Sequence, residues 1–306
     1  MRFLLIMLII ILVILAILYF VVGNYFYNIA LNPNTSKSYV LGEVVEVPET
    51  QETWLSKNSE DVYITSSNNG NLKLHGYEIK NPKASNIWAI VVHGYYGKGS
   101  DMSYYAEQYF NRGYNVLLVD LRGHGKSQGD YIGMGWHDRL DIIDWANYLI
   151  TRNPNCQIIL HGVSMGAATV MMATGEDLPN NIKVAIEDCG YTSIWDEFEM
   201  QLKVLYNLPA FPVLNAASAV CKIKAGYMLE EGSAVEQVKK SKTPTLFIHG
   251  DQDRFVPFEM LDVLYDAANC EKQKLVVEGA AHAESVGVNP KLYWETVDEF
   301  ILNYID

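Results

Sequence analysis

From residue 88 onward, short and uninterrupted apolar runs alternate with stretches of helical periodicity, and no other feature restricts this chain to so few architectures. The runs are Trp88 to Val92, Val116 to Val119, Gln157 to Leu160, Val184 to Ile186, Thr245 to Ile248 and Leu275 to Val277. Strands this apolar must be covered on both faces. Helical patterns at Met102 to Asn111, Trp136 to Leu149, Met165 to Thr174, Phe258 to Ala268 and Leu292 to Tyr304 can supply the cover. The expected fold class is α/β, a mostly parallel, doubly wound sheet. Right-handed crossovers bring the C-terminal strand ends to one edge, and a site is expected outside that edge. Ahead of this region, Val62 to Thr65 and Leu72 to Tyr77 flank Asn68-Asn69-Gly70, which predicts an antiparallel hairpin.

The rhythm breaks once, between the Val184 and Thr245 strands, where the chain is much longer than a single crossover helix requires. Residues 191–225 are expected to form a small helical cap. Its apolar set, Trp195, Phe198, Leu205, Tyr206, Phe211 and Leu214, either lines a substrate cleft or packs on the core.

The N-terminal part has a different character. Phe3 to Val22 is a run of 20 residues without a charge, and as a helix it spans ~30 Å, the thickness of a bilayer core. It exceeds the apolar region of a cleaved signal peptide, and no A-x-A pattern follows. The expected organisation is a transmembrane signal anchor over 1–22, a tether over 23–60 and a catalytic domain over 61–306. On this reading, removal of residues 1 to 30 leaves a soluble and active domain. Arg2 precedes the run and the next cation is Lys37. The positive-inside tendency thus predicts a single-pass membrane protein with a cytoplasmic N-terminus and an extracytoplasmic catalytic domain.

Composition narrows the function. The net charge is −13 and the 23 Lys and Arg residues form no basic run, which argues against nucleic acid as a partner. Four cysteines, Cys156, Cys189, Cys221 and Cys270, show neither a CxxC nor a zinc spacing, so neither a disulfide framework nor a structural metal is expected. Gly125-Lys126-Ser127 lacks the first glycine of a phosphate loop, because Asp120 stands in that position. Gly94, Gly97 and Gly99 have the wrong order for a dinucleotide fingerprint. No cofactor is assigned.

Chemistry is concentrated in Gly162-Val163-Ser164-Met165-Gly166, which follows one apolar run directly and opens a helical pattern. This is the strand–turn–helix context of a nucleophile elbow. Such a turn holds serine in a strained backbone conformation at a helix N-terminus, with glycines where a β-carbon would collide. A serine hydroxyl needs a base, and the base needs a group that fixes its tautomer. Of seven histidines, His282 is the expected base, because Glu278-Gly279-Ala280-Ala281-His282 returns from the last strand to the sheet edge. His75, His93, His137, His161 and His249 read as structural. His124 is the competitor, but it precedes the serine, against the chain order Ser, acid, His. For the acid, His249-Gly250-Asp251-Gln252-Asp253 offers Asp253 first and Asp251 second, with Asp188 a third candidate. Two backbone amides are the candidate oxyanion donors: that of Met165 and that of Tyr95 in His93-Gly94-Tyr95-Tyr96-Gly97. Tyr95 could instead be only a cleft wall.

These motifs, with Asp120-Leu121-Arg122-Gly123-His124-Gly125-Lys126-Ser127 and Val256-Pro257, resemble the α/β-hydrolase superfamily over roughly residues 60 to 306. Within it, the chain is most similar to the branch of serine aminopeptidases, monoacylglycerol lipases and related small esterases. The resemblance implies that the second aspartate of the His-Gly-Asp-x-Asp run, Asp253, is the triad acid. It also implies a serine hydrolase that cleaves an ester through an acyl-enzyme, with a lipid-derived ester favoured by the anchor and the apolar cap. An aminopeptidase-like peptidase and a non-catalytic membrane-tethered binding module are the alternatives. The glycine-rich HGGG-type donor loop of the superfamily is replaced here by Tyr95-Tyr96.

Overall fold

Period-two alternation determines how each strand is used, because successive side chains point to opposite faces of the sheet. A computed structural model describes residues 2–35, 49–68, 70–83 and 85–305. Residues 36–48 of the expected tether, with Lys37, and Asn69 of the expected hairpin turn lie outside these. The strands are β1 (Glu60–Thr65), β2 (Lys73–Ile79), β3 (Ile87–Val92), β4 (Asn115–Val119), β5 (Gln157–Val163), β6 (Ile182–Asp188), β7 (Thr245–Gly250) and β8 (Lys272–Val277). Among the described residues they form one sheet in the order β1-β2-β4-β3-β5-β6-β7-β8. β2 pairs antiparallel with β1 and with β4, and the strands from β4 to β8 run parallel. The chain has the expected α/β architecture.

Helices cover both faces. They are α1 (Arg2–Leu31), α2 (Glu49–Asn58), α3 (Ser103–Asn111), α4 (Asp138–Arg152), α5 (Met165–Thr174), α6 (Ile194–Tyr206), α7 (Ala210–Ala225), α8 (Ala234–Val238), α9 (Glu259–Ala267), α10 (Ser285–Val288) and α11 (Pro290–Ile301). Ile90, Val92, Leu117, Ile158 and Leu160 pack in one layer with Trp145 of α4 and with α5. Their neighbours Ala89, Val91, Leu118 and Ile159 pack in the other, with Tyr109 of α3 and Val297 and Phe300 of α11. Every residue of α5 is buried, which explains why this helix is apolar all round rather than on one stripe.

The cap is helical over α6 and α7. Ser193 caps α6, its hydroxyl accepting from the Asp196 amide at 3.0 Å, and Asn207 ends the helix in the left-handed conformation.

The described parts of the segment expected as a tether differ from a bare linker. Helix α1 continues to Leu31, with Tyr27 and Leu31 buried, and α2 buries Leu55 and sets Trp54 edge-on to Phe110. The reason is burial: these apolar side chains find partners on the domain that a local reading of Asn32-Pro33-Asn34 does not reveal. Residues 23–31 therefore pack against the domain as the continuation of α1.

Candidate active site

Parallel register lines up the C-terminal ends of the central strands. Val92 pairs with Gly162, Val163 with Asp188, and Gly250 with Val277, so the loops after β3, β5, β6, β7 and β8 emerge along one edge. Ser164 sits at the end of β5 and begins α5, with φ 57° and ψ −118°. A positive φ in a residue with a β-carbon is strained. Packing enforces it: the Ser164 amide donates to the Asp188 carbonyl at 2.8 Å, and its carbonyl accepts from Ala168 at 3.0 Å. A β-carbon on Gly162 would overlap the Gly166 carbonyl, and one on Gly166 would overlap the Val92 carbonyl. No residue but glycine fits either position.

The loop after β8 carries His282 to the same place. The Ser164 Oγ lies 2.8 Å from His282 Nε2, and His282 Nδ1 lies 2.7 Å from Asp253 Oδ2. Asp253 is buried, and its Oδ1 accepts from the amides of Phe255 and Val256, both at 2.9 Å. Its Oδ2 also faces His249 Nε2 at 3.2 Å. Burial opposes ionisation of this carboxyl, but the hydrogen bonds from His249 and His282 outweigh it and hold the group at about 2. The Phe255 ring lies 4.8 Å from the His282 ring, centroid to centroid, and walls it from one side.

The competing residues are engaged elsewhere. Asp251 accepts from the Gly279 amide at 2.7 Å and braces the loop that bears His282. Asp188 is buried at the end of β6, where burial pushes its carboxyl up to about 6; the described side-chain hydrogen bonds of His282 go to Ser164 and Asp253. The nitrogens of His124 lie 3.0 Å from the Arg122 carbonyl and 2.9 Å from the Tyr95 carbonyl. His93 and His161 are buried, and burial drives both down to about 3, which keeps them neutral.

The loop after β3 closes over the serine. A β-carbon on Gly94 would stand 3.4 Å from the Ser164 β-carbon and 3.8 Å from its hydroxyl, and Tyr95 is the next residue. Tyr95, Ser164 and Met165 border one pocket together with Phe198, Leu205, Tyr206 and Leu214 from the cap. Of the cap residues expected to line a cleft, Trp195 borders a different groove and Phe211 points to solvent.

Sequence reasoning missed three features here. His249 contacts the acid as well as ending a strand; its i, i+4 spacing from Asp253 was the available signal. Glu197, 3% exposed, lines the largely apolar pocket. Phe26, Ile29, Ala30 and Leu31 of α1 line it too, and nothing local in the sequence foretells that contact.

Among the described residues, Cys189, Asp253 and His282 form the one cluster with metal-ligand chemistry, their ligand atoms within 4.8 Å of one another. Burial raises the Cys189 thiol well above its ordinary range and keeps it protonated, and the other two groups already bond each other. The cluster is better suited to proton transfer than to a cation.

The model of the family described as serine aminopeptidase, S33, matches residues 84–210. The structure of an esterase, Pf2001, from Pyrococcus furiosus superposes with a TM-score of 0.68 at 25% identity, covering 86% of this chain and 99% of that one. The chain has the α/β-hydrolase fold. Among its relatives, the uncharacterized protein YqkD of Bacillus subtilis is 29% identical over 237 residues, which is 76% of this chain and 78% of YqkD. A monoacylglycerol lipase of Mycolicibacterium smegmatis is 24% identical over 249 residues, 71% of this chain and 88% of the lipase. Helix α1 reaches a mean hydropathy of 3.5 over its most apolar window, long and apolar enough to cross a membrane.

Proposed function

We propose that this α/β-hydrolase is a membrane-anchored serine esterase that cleaves a carboxylic ester, lipid-derived, through an acyl-enzyme. The observation that carries the reading is the unbroken contact from Ser164 through His282 to Asp253 at 2.8 and 2.7 Å, with Ser164 lining a largely apolar pocket. His282 Nε2 takes the hydroxyl proton as Ser164 Oγ attacks the carbonyl carbon, while Asp253 holds Nδ1–H and stabilises the imidazolium that forms. The oxyanion is held by the backbone amides of Tyr95 and Met165, the latter at the N-terminus of α5 where the helix dipole favours negative charge. His282 then gives its proton to the leaving alcohol, and a water repeats the sequence to release the acid. The domain partition follows: an anchor over 1–22, a catalytic domain over 61–306 and a cap at 191–225. Arg2 before the apolar run supports a cytoplasmic N-terminus and an extracytoplasmic active site.

A fluorophosphonate probe should label Ser164 in the folded protein, and Ser164→Ala should abolish both labelling and ester turnover down to the residual ~10³–10⁴ over water that binding alone supplies. A variant keeping most of its turnover would refute the mechanism. The match to serine aminopeptidases favours a second reading, cleavage of aminoacyl bonds. Turnover of aminoacyl anilides above that of p-nitrophenyl esters would select it.

A further inference from the structure

Helix α1 outlasts its bilayer-length run by more than two turns, and the two parts differ in surroundings. Residues from Phe3 to Val22 are exposed, whereas Gly23, Tyr27 and Leu31 are buried. Their spacing of four puts these three on one stripe of the helix. The stripe lies against the cap: a β-carbon on Gly23 would overlap the Ala216 carbonyl of α7, and the Phe26 ring meets Tyr206 of α6 edge-on at 5.3 Å. Lys224 donates to the Asn24 side chain at 2.7 Å. At its C-terminal end the helix meets the loops after β4 and β3. The Ile132 amide donates to the Leu31 carbonyl at 2.8 Å, and the Tyr95 hydroxyl donates to the Ala30 carbonyl.

This last bond ties α1 to the loop that approaches Ser164. Ala30 and Ser164 line the same pocket, and Phe26, one turn earlier in α1, is nearer the apolar run. The pocket wall between them is helix α1 itself, facing Ser164 and the cap residues Leu205 and Leu214.

We propose that the last turns of α1 are the wall of an acyl-chain site, and that this wall sets chain-length preference. The ligand class is the ester of a single long aliphatic chain, lying along α1 with its carbonyl at Ser164 and its tail directed toward the membrane-length segment. The inference rests on the ester-hydrolase reading of Ser164. Apolar groups that touch a chain discriminate its length, at roughly 10–200-fold per methylene gained or lost. A helix that only anchors the protein discriminates nothing.

Two substitutions on this wall push in opposite directions. Full-length protein in detergent micelles is assayed on p-nitrophenyl esters from acetate to palmitate, and the ratio of kcat/KM for the long ester to that for acetate is read. Ala30→Leu fills the site and should lower the ratio by about tenfold. Ile29→Ala opens it and should raise the ratio or move the optimum to a longer chain. Both variants keep the backbone carbonyl that receives Tyr95. Ratios within about twofold of wild type in both would overturn the proposal, since one methylene in a contacting wall is worth more than that. If Ala30→Leu fails to fold, acetate turnover vanishes with the rest and Ile29→Ala decides alone. A wild type that turns over no ester and takes up no fluorophosphonate would instead remove the hydrolase reading beneath it, a result distinct from flat ratios.

Discussion

The stability of Glu197→Gln relative to wild type should rise with pH. The side chain of Glu197 is buried in the pocket, one oxygen accepting from Gln201 Nε2 at 2.9 Å and the other without a hydrogen-bond partner among the described residues. Burial pushes the carboxyl from an ordinary 4.5 up to about 8. Between those values the unfolded chain releases a proton that the folded chain keeps, so stability falls as pH rises. The slope approaches ~1.4 kcal/mol per pH unit, and the full interval corresponds to ~5 kcal/mol. Glutamine has nearly the same shape and no proton to lose. At pH 4.5 the variant should match wild type or fall below it by the ~1–3 kcal/mol that an unsatisfied buried amide costs. Its relative stability should then climb by several kcal/mol up to pH 8, because only the wild type is penalised. Denaturant midpoints of full-length protein in micelles at pH 4.5, 6, 7 and 8 measure this. The slope is the diagnostic, since the packing cost of the substitution is the same at every pH. A stability difference constant across the series would show that Glu197 ionises freely in the folded state.

Asp253→Asn should lower kcat by ~10⁴ with little loss of stability. Its Oδ1 still accepts from Phe255 and Val256, whereas an amide nitrogen facing His282 Nδ1 imposes the wrong tautomer; a loss below about tenfold would contradict the assigned role. Gly162→Ala should destabilise by at least ~3 kcal/mol, because the added carbon overlaps the Gly166 carbonyl in a turn with no room to relax. An unchanged denaturation midpoint would show that the elbow is looser than its geometry indicates.

The central strands were legible because they are covered on both faces: five consecutive buried residues in β4 leave a run that no amphipathic helix would carry. The serine turn was legible because two close approaches admit glycine alone. Strand ends were read less well. β5 runs past Leu160 to Val163 and β6 past Ile186 to Asp188, since His161 and Asp188 are buried by neighbours distant in the chain. The same limit hid the rest of the site. Glu197 reads as an exposed helix carboxylate, and only the placement of α6 over the sheet edge buries it. Ala30 and Ile29 read as the start of a linker, and only the contact of Gly23 with α7 and the bond to Tyr95 turn them into a wall. Local pattern reports which face of an element is apolar; it does not report which remote element will cover that face.

The acids near the sheet edge show how environment sorts chemically similar groups. Glu187, Asp188, Glu197 and Asp253 are all buried, and burial by itself raises a carboxyl. It does so for Glu187 and Glu197, each pushed up to about 8, and for Asp188, pushed up to about 6. Asp253 alone is driven the other way, to about 2, because two imidazoles and two amides converge on it. A residue meant to stabilise a transient imidazolium must be an anion before the proton moves, and a dry pocket meant for an aliphatic chain must avoid charge. Both conditions are met by the same burial, and what separates them is the number of donors that reach each carboxylate. Pairs of groups whose surroundings push their titration apart mark the division of roles in acid–base sites. Here that division separates Asp253 from Glu187, Asp188 and Glu197, while Asp120, buried and lowered as well, is set apart by lying against His75 rather than His282.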